Sequence, residues 1–201
     1  MKSFLSWLVL IVSIAVLVSS CAKKDSSSSS TDNNTPSSAN PEVFVATGGN
    51  GDILRSTDNG SSFENATSPT ANRLRGVTFG NDIFAAVGVS GNIVRSTDNG
   101  STFDNVTSPT GNKLLEVTFG NDIFVAVGDS GNIVRSTDNG STFDNVTSPT
   151  GNGIKAVGFG NNTFVAVGVS GNIIRSTDNG STWDNATSPT GNAIYGVAFS
   201  E

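Results

Sequence analysis

"IFVAVGDSGNIVRSTDNGSTFDNVTSPTGNGIKAVGF" runs from Ile123 to Phe159 and contains one full cycle of the pattern that governs most of the chain. Its opening "IFVAVG" is β-branched, aromatic and apolar on both faces, the composition of a strand held between two layers. "DSGN" is a turn. "NIVRST" reads as a second strand, in which Ile133 and Arg135 alternate with Val134 and Ser136. "DNGS" turns the chain into "TFDNVT", a third strand. "SPTGN" is a loop of turn formers, and "IKAVGF" from Ile154 to Phe159 is a fourth strand. Helical periodicity appears nowhere in this stretch or in its copies.

The copies are plain. Residues 90–112 and 130–152 are identical, and 43–201 divides into four tandem units of 40 residues, the last one residue short. Four short antiparallel strands in ~40 residues is the size of a propeller blade. The expected fold is therefore all-β, a small β-propeller of four four-stranded blades. Segments of the "LLEVTF" type are expected to be the innermost strands. The repeat enters on a second strand, "VFVATG", and leaves on an inner strand, "IYGVAF". Pairing of these N- and C-terminal segments would close the ring and remove exposed sheet edges. The same phase permits half of an eight-bladed dimeric ring, so a monomer is the first expectation and a dimer the alternative.

One motif recurs at the same point of every unit. Its residues are Ser56, Asp58, Gly60 and Phe63 in the first copy, then Ser96, Asp98, Gly100 and Phe103. The third copy has Ser136, Asp138, Gly140 and Phe143, and the fourth Ser176, Asp178, Gly180 and Trp183. Asn-Gly suits a tight turn that needs positive φ, and the Ser and Asp side chains can hydrogen-bond to turn backbone. The aromatic can bury beside the turn as a peg. A hairpin that every blade must make accounts for a motif present in every blade, so the reading is structural.

These four matches to S-x-D-x-G-x-[ST]-[FW] resemble the Asp-box, or bacterial neuraminidase repeat. The string "VGDSGNIVRSTDNGSTF" is also similar to repeats of photosystem II stability/assembly factor-like propellers. The resemblance spans 43–201, and it implies a propeller whose Asp-boxes are structural and lie away from binding sites. It does not carry catalysis with it. Sialidases of this fold combine three arginines with a tyrosine–glutamate pair and an aspartic acid. Here Tyr195 is the one tyrosine, and Arg55, Arg95, Arg135 and Arg175 form a single repeat column that looks like a structural ladder.

The start of the chain reads as an address. Lys2 and the apolar run "FLSWLVLIVSIAVLV" have the pattern of a secretory signal, and "VSSC" ending at Cys21 resembles the lipobox of bacterial lipoproteins. Residues 1–20 are thus expected to be a lipoprotein signal peptide, and Cys21, the only cysteine, the lipidated residue. Residues 21–42, rich in Ser, Asn, Asp and Pro, read as a disordered tether. The implied setting is the bacterial cell envelope, on the periplasmic side or at the cell surface, with the membrane engaged through the lipid. Loss of Lys2 leaves 10 basic against 17 acidic groups, a formal charge of −7 that disfavours nucleic acid. With no histidine, the commonest general base and metal ligand is absent. No cofactor beyond the covalent lipid, no metal and no catalysis are expected.

Comparing the units with each other separates two kinds of position. Most columns are invariant or change conservatively. Radical changes fall in Arg73/Lys113/Gly153/Ala193, Arg75/Leu115/Lys155/Tyr195, Gly76/Glu116/Ala156/Gly196 and Gly49/Val89/Asp129/Val169. In an antiparallel meander alternate turns share a side, which places all four columns opposite the Asp-boxes, around the central channel. Arg73, Arg75, Lys113, Leu115, Glu116, Asp129, Lys155 and Tyr195 are therefore the candidate binding face for a protein or glycan. A basic patch on an acidic chain suits an anionic or mixed polar partner. Structural or antigenic surface display is the second reading, and a sialidase-like glycosidase ranks last.

Overall fold

The computed structural model describes residues 42–200. The signal peptide assigned to 1–20, the lipidated Cys21 and, but for Glu42, the tether assigned to 21–42 lie outside the described residues.

Each repeat folds as the alternation of its residues dictates. In the third, β8 (Leu114–Gly120), β9 (Ile123–Gly128), β10 (Ile133–Ser136) and β11 (Asp144–Val146) form one antiparallel sheet in sequential order. The strand read as apolar on both faces, β9, is buried at every position. The second repeat supplies β4 (Leu74–Gly80), β5 (Ile83–Gly88), β6 (Ile93–Ser96) and β7 (Asp104–Val106). The fourth supplies β12 (Ile154–Gly160), β13 (Thr163–Gly168), β14 (Ile173–Ser176) and β15 (Asp184–Asn185). The first repeat contributes β1 (Phe44–Thr47), β2 (Ile53–Ser56) and β3 (Glu64–Asn65), a sheet of three strands. The sheets are the blades of a β-propeller, and the fold is all-β.

The blades touch through their inner strands and through the apolar faces behind them. Phe119 lies over Gly80, Phe159 over Gly120 and Phe199 over Gly160, so closely that a Cβ on any of the three glycines would fall within 2.3 Å of the ring. Three buried apolar clusters fill the joints. One centres on Ile53, Leu74, Phe84 and Phe103, the next on Ile93, Leu114, Phe124 and Phe143, and the third on Ile133, Ile154, Phe164 and Trp183. Each joint is thus built from the second strand and aromatic peg of one blade against the face of the blade before it.

The ladder expected between the chain's two ends is not formed. Residues 191–200 carry no strand, and β1 pairs only with β2 among the described residues. The last segment lies against its own neighbour: Val197 and Phe199 lie on Gly158 and Gly160 of β12, and Phe119 and Phe159 lie on Gly80 and Gly120 in the same way at the earlier joints. That contact seats the segment beside β12, without a strand ladder to β1.

Candidate functional site

The invariant columns spend their polar groups on the turns. In the third blade Ser136 Oγ donates to Asp138 Oδ1 at 2.8 Å and accepts from Gly140 N at 2.9 Å. Asp138 accepts from Thr142 N at 2.9 Å and from Thr142 Oγ1 at 2.7 Å. Asn139 (φ 57°) and Gly140 (φ 74°) make the left-handed corner that Asn-Gly tolerates. The same bonds recur around Ser56, Ser96 and Ser176, and all four serines are buried. Hydrogen bonds from the Ser62 side chain and backbone and from Ser56 hold the Asp58 carboxyl at a pKa of about 2. The backbone and hydroxyl of Thr182, with Ser176, hold Asp178 at about 2 as well. Phe103, Phe143 and Trp183 are buried pegs. Phe63 departs from that expectation at 47% exposed, because among the described residues no blade packs in front of the first.

The arginine column is also structural. Arg55, Arg95 and Arg135 each donate from Nε to the carbonyl of the next blade's turn asparagine, Asn99, Asn139 and Asn179, at 2.8, 2.6 and 2.6 Å. These bonds tie each blade to its successor.

The variable columns have a different fate. Each inner strand slips register once, between Leu74 and Gly76, Leu114 and Glu116, or Ile154 and Ala156. The extra residue at each bulge is Arg75, Leu115 or Lys155, the column whose side chains change most. A bulge re-aims the side chain of its unpaired residue. Here Arg75, Lys113, Leu115, Asp129, Lys155 and Tyr195 line one cavity of about 430 Å³. Six of the eight residues nominated from sequence therefore share one site. Lys155 Nζ stands 3.4 Å from Asp129 Oδ1, with both groups partly buried. Gly153 lies against this pair, where a Cβ would come within 3.5 Å of the ammonium. The other salt bridge among the described residues, Arg55–Glu64, is remote from the cavity, so Arg75 and Lys113 present charges without an acidic neighbour in contact.

The remaining two nominees sit apart. Arg73 is exposed just before β4, and its carbonyl accepts from Val89 N at 3.0 Å. Glu116 is half-buried on β8, packed against Gly76, and its carboxylate accepts from Val117 N at 3.1 Å. Desolvation pushes its pKa up. No lining residue of the cavity was missed from sequence, because all of its side chains lie in columns where the repeats disagree. Among the described residues no group of three His, Cys, Asp or Glu side chains is placed to hold a metal.

No protein-family model matches the chain, and no curated protein does. Solved structures do. YCF48 bound to a D1 peptide is 17% identical with a TM-score of 0.61, over 85% of this chain and 60% of that one. The computationally designed protein Ika8 is 13% identical with a TM-score of 0.63, over 79% of this chain and 50% of that one. An ancestral GH74 enzyme is 20% identical with a TM-score of 0.57, over 74% of this chain and 24% of that one. The chain thus spans half to three fifths of the length of the first two propellers. These likenesses show the fold.

Proposed function

We propose that this chain is an envelope lipoprotein, anchored through a lipid on Cys21, whose propeller is a non-catalytic binding module. The partner it fits is a protein segment or glycan with acidic groups. The observation that carries this reading is the convergence of the repeat-variable residues Arg75, Lys113, Leu115, Asp129, Lys155 and Tyr195 on one cavity. Repeats that are invariant or change conservatively at most columns differ where they face that space. The site offers two cations without acidic contacts, a Lys–Asp pair and an exposed phenol, a set that recognises rather than transforms. YCF48, solved with a peptide bound, supports a protein partner in general. Glu116 is a single raised carboxyl bonded to its own strand, and glycoside hydrolysis ordinarily uses a pair flanking one bond.

The test is capture of envelope components by the immobilised domain and by a variant with Arg75, Lys113 and Lys155 all changed to Ser. Arg75 and Lys113 are exposed, and the partly exposed Lys155–Asp129 pair is worth about 0–1 kcal/mol, so the fold should survive. Capture should fall in the variant, and more steeply at low salt, where exposed charges act over a Debye length of ~10 Å or more. Equal capture by both proteins would remove the cavity as the binding site and favour surface display. Incorporation of labelled fatty acid into the chain, lost on Cys21→Ser, checks the anchor.

A further inference from the structure

We propose that two copies of this chain associate head to tail into one closed ring of eight blades. In it, Ile194–Phe199 of each copy supplies the innermost strand of the other copy's first blade. The two ends of the arc resemble the two sides of an interior joint, except that Ser200 stands in the column of Gly80, Gly120 and Gly160 and must shift to admit Phe79 of the other copy.

Consider first the leading end. Phe44 is 51% exposed, whereas Phe84, Phe124 and Phe164 in the same column are at most 6% exposed. Leu54 is exposed where Val94, Val134 and Ile174 are buried. A Cβ on Gly60 would meet nothing within 4 Å, while one on Gly100 or Gly180 would touch the preceding blade at 2.8 or 3.1 Å. This face is apolar and shaped for a blade in front of it.

The trailing end is its counterpart. Val165 and Ile173 are only partly buried where Val125 and Ile133 are fully covered. A cleft of about 70 Å³ opens between β12, β13 and the last segment. Phe199 is 54% exposed. Arg175 is exposed and makes none of the bonds to a following turn that Arg55, Arg95 and Arg135 make. In the ring its Nε would donate to the carbonyl of Asn59 in the second copy, the repeat equivalent of Asn99.

The pairing is specified residue by residue. Val157↔Ala166 and Phe159↔Phe164 are partners in the fourth blade, so Val197 should face Ala46 and Phe199 should face Phe44 across the joint. The half-exposed rings Phe44, Phe63 and Phe199 would each bury about 100 Å² at the two joints, and the strand ladder adds to them. A head-to-tail contact that closes after two copies leaves no free edge and cannot grow into a filament.

The experiment uses the full chain with Cys21 changed to Ser, made as two variants, Ala46→Cys and Val197→Cys. The proposal predicts a disulfide-linked pair when the two are mixed and oxidised, and none from either alone. It also predicts a sedimentation mass of twice the chain. Arg175→Ala should raise the dimer dissociation constant several-fold without altering the far-UV spectrum of the dissociated chain. A monomer at every concentration would overturn the proposal. So would a double variant that cross-links only within one chain, which would mean closure on itself, or an open series of higher multimers.

Discussion

Phe124 and Phe44 occupy the same column of the repeat, in "DIFVAVG" and "PEVFVATG", yet one is 0% and the other 51% exposed. The difference lies in what stands in front of each. Phe124 meets the second blade across a joint that also buries Ile93, Leu114 and Phe143. Among the described residues no blade stands in front of Phe44. A repeat protein therefore encodes a joint in every unit but realises it only where a neighbour is present, so the same residue is worth different amounts at different places.

The largest consequence concerns that pair. Phe124→Ala should cost ~3–5 kcal/mol, the usual range for emptying an aromatic site in a core. Phe44→Ala in the dissociated chain should cost about 1 kcal/mol or less, since half of the ring is already in water. Denaturant midpoints measured on dilute protein would show the asymmetry, and equal losses would contradict it. Raising the protein concentration should enlarge the Phe44→Ala deficit if a second copy covers that face.

Next in size are the turns. Asp98→Ala removes the acceptor for Thr102 N at 3.0 Å and Thr102 Oγ1 at 2.6 Å, and it should lower stability by ~1 kcal/mol. The turn carboxylates also set an acid limit. With Asp58 and Asp178 held at about 2 against an ordinary 3.8, the folded state binds fewer protons than the unfolded one between those values. Their contribution is complete above about pH 4 and disappears as pH falls towards 2. Asp178→Asn should flatten the acid limb of the stability curve, and an unchanged limb would assign acid unfolding to other groups.

The smallest effect is expected at Glu116, where the sign reverses. Desolvation raises its folded pKa above 4.5, so its ionised form destabilises the fold at neutral pH. Glu116→Gln should give a slight gain in melting temperature at pH 7 that vanishes below pH 4, where both states are protonated. A loss at pH 7 would mean that the carboxylate has a stabilising partner.

Much of this was legible from the letters. The strands follow from alternation and β-branched runs, the hairpin from Asn-Gly, and the candidate cavity from the columns in which the units disagree. Two features were not. The bulges at Arg75, Leu115 and Lys155 depend on register between strands, and nothing in "RLRGV" or "KLLEV" announces a slip. The uncovered ends were also hidden, since "VFVATG" and "IYGVAF" carry the composition of buried strands. Composition records what a segment is suited to meet. Whether it meets it is a property of the assembled molecule.

The division between invariant columns that build joints and variable columns that face a partner is tested most directly by one paired measurement. Melting temperature and partner capture would be recorded together for Asp98→Ala and for the Arg75, Lys113 and Lys155 to Ser variant. The expected result is a crossed pattern: the turn variant melts lower and captures as well as the parent below its transition, while the charge variant melts unchanged and fails to capture. Capture abolished by Asp98→Ala at unchanged stability, with the charge variant still binding, would contradict it.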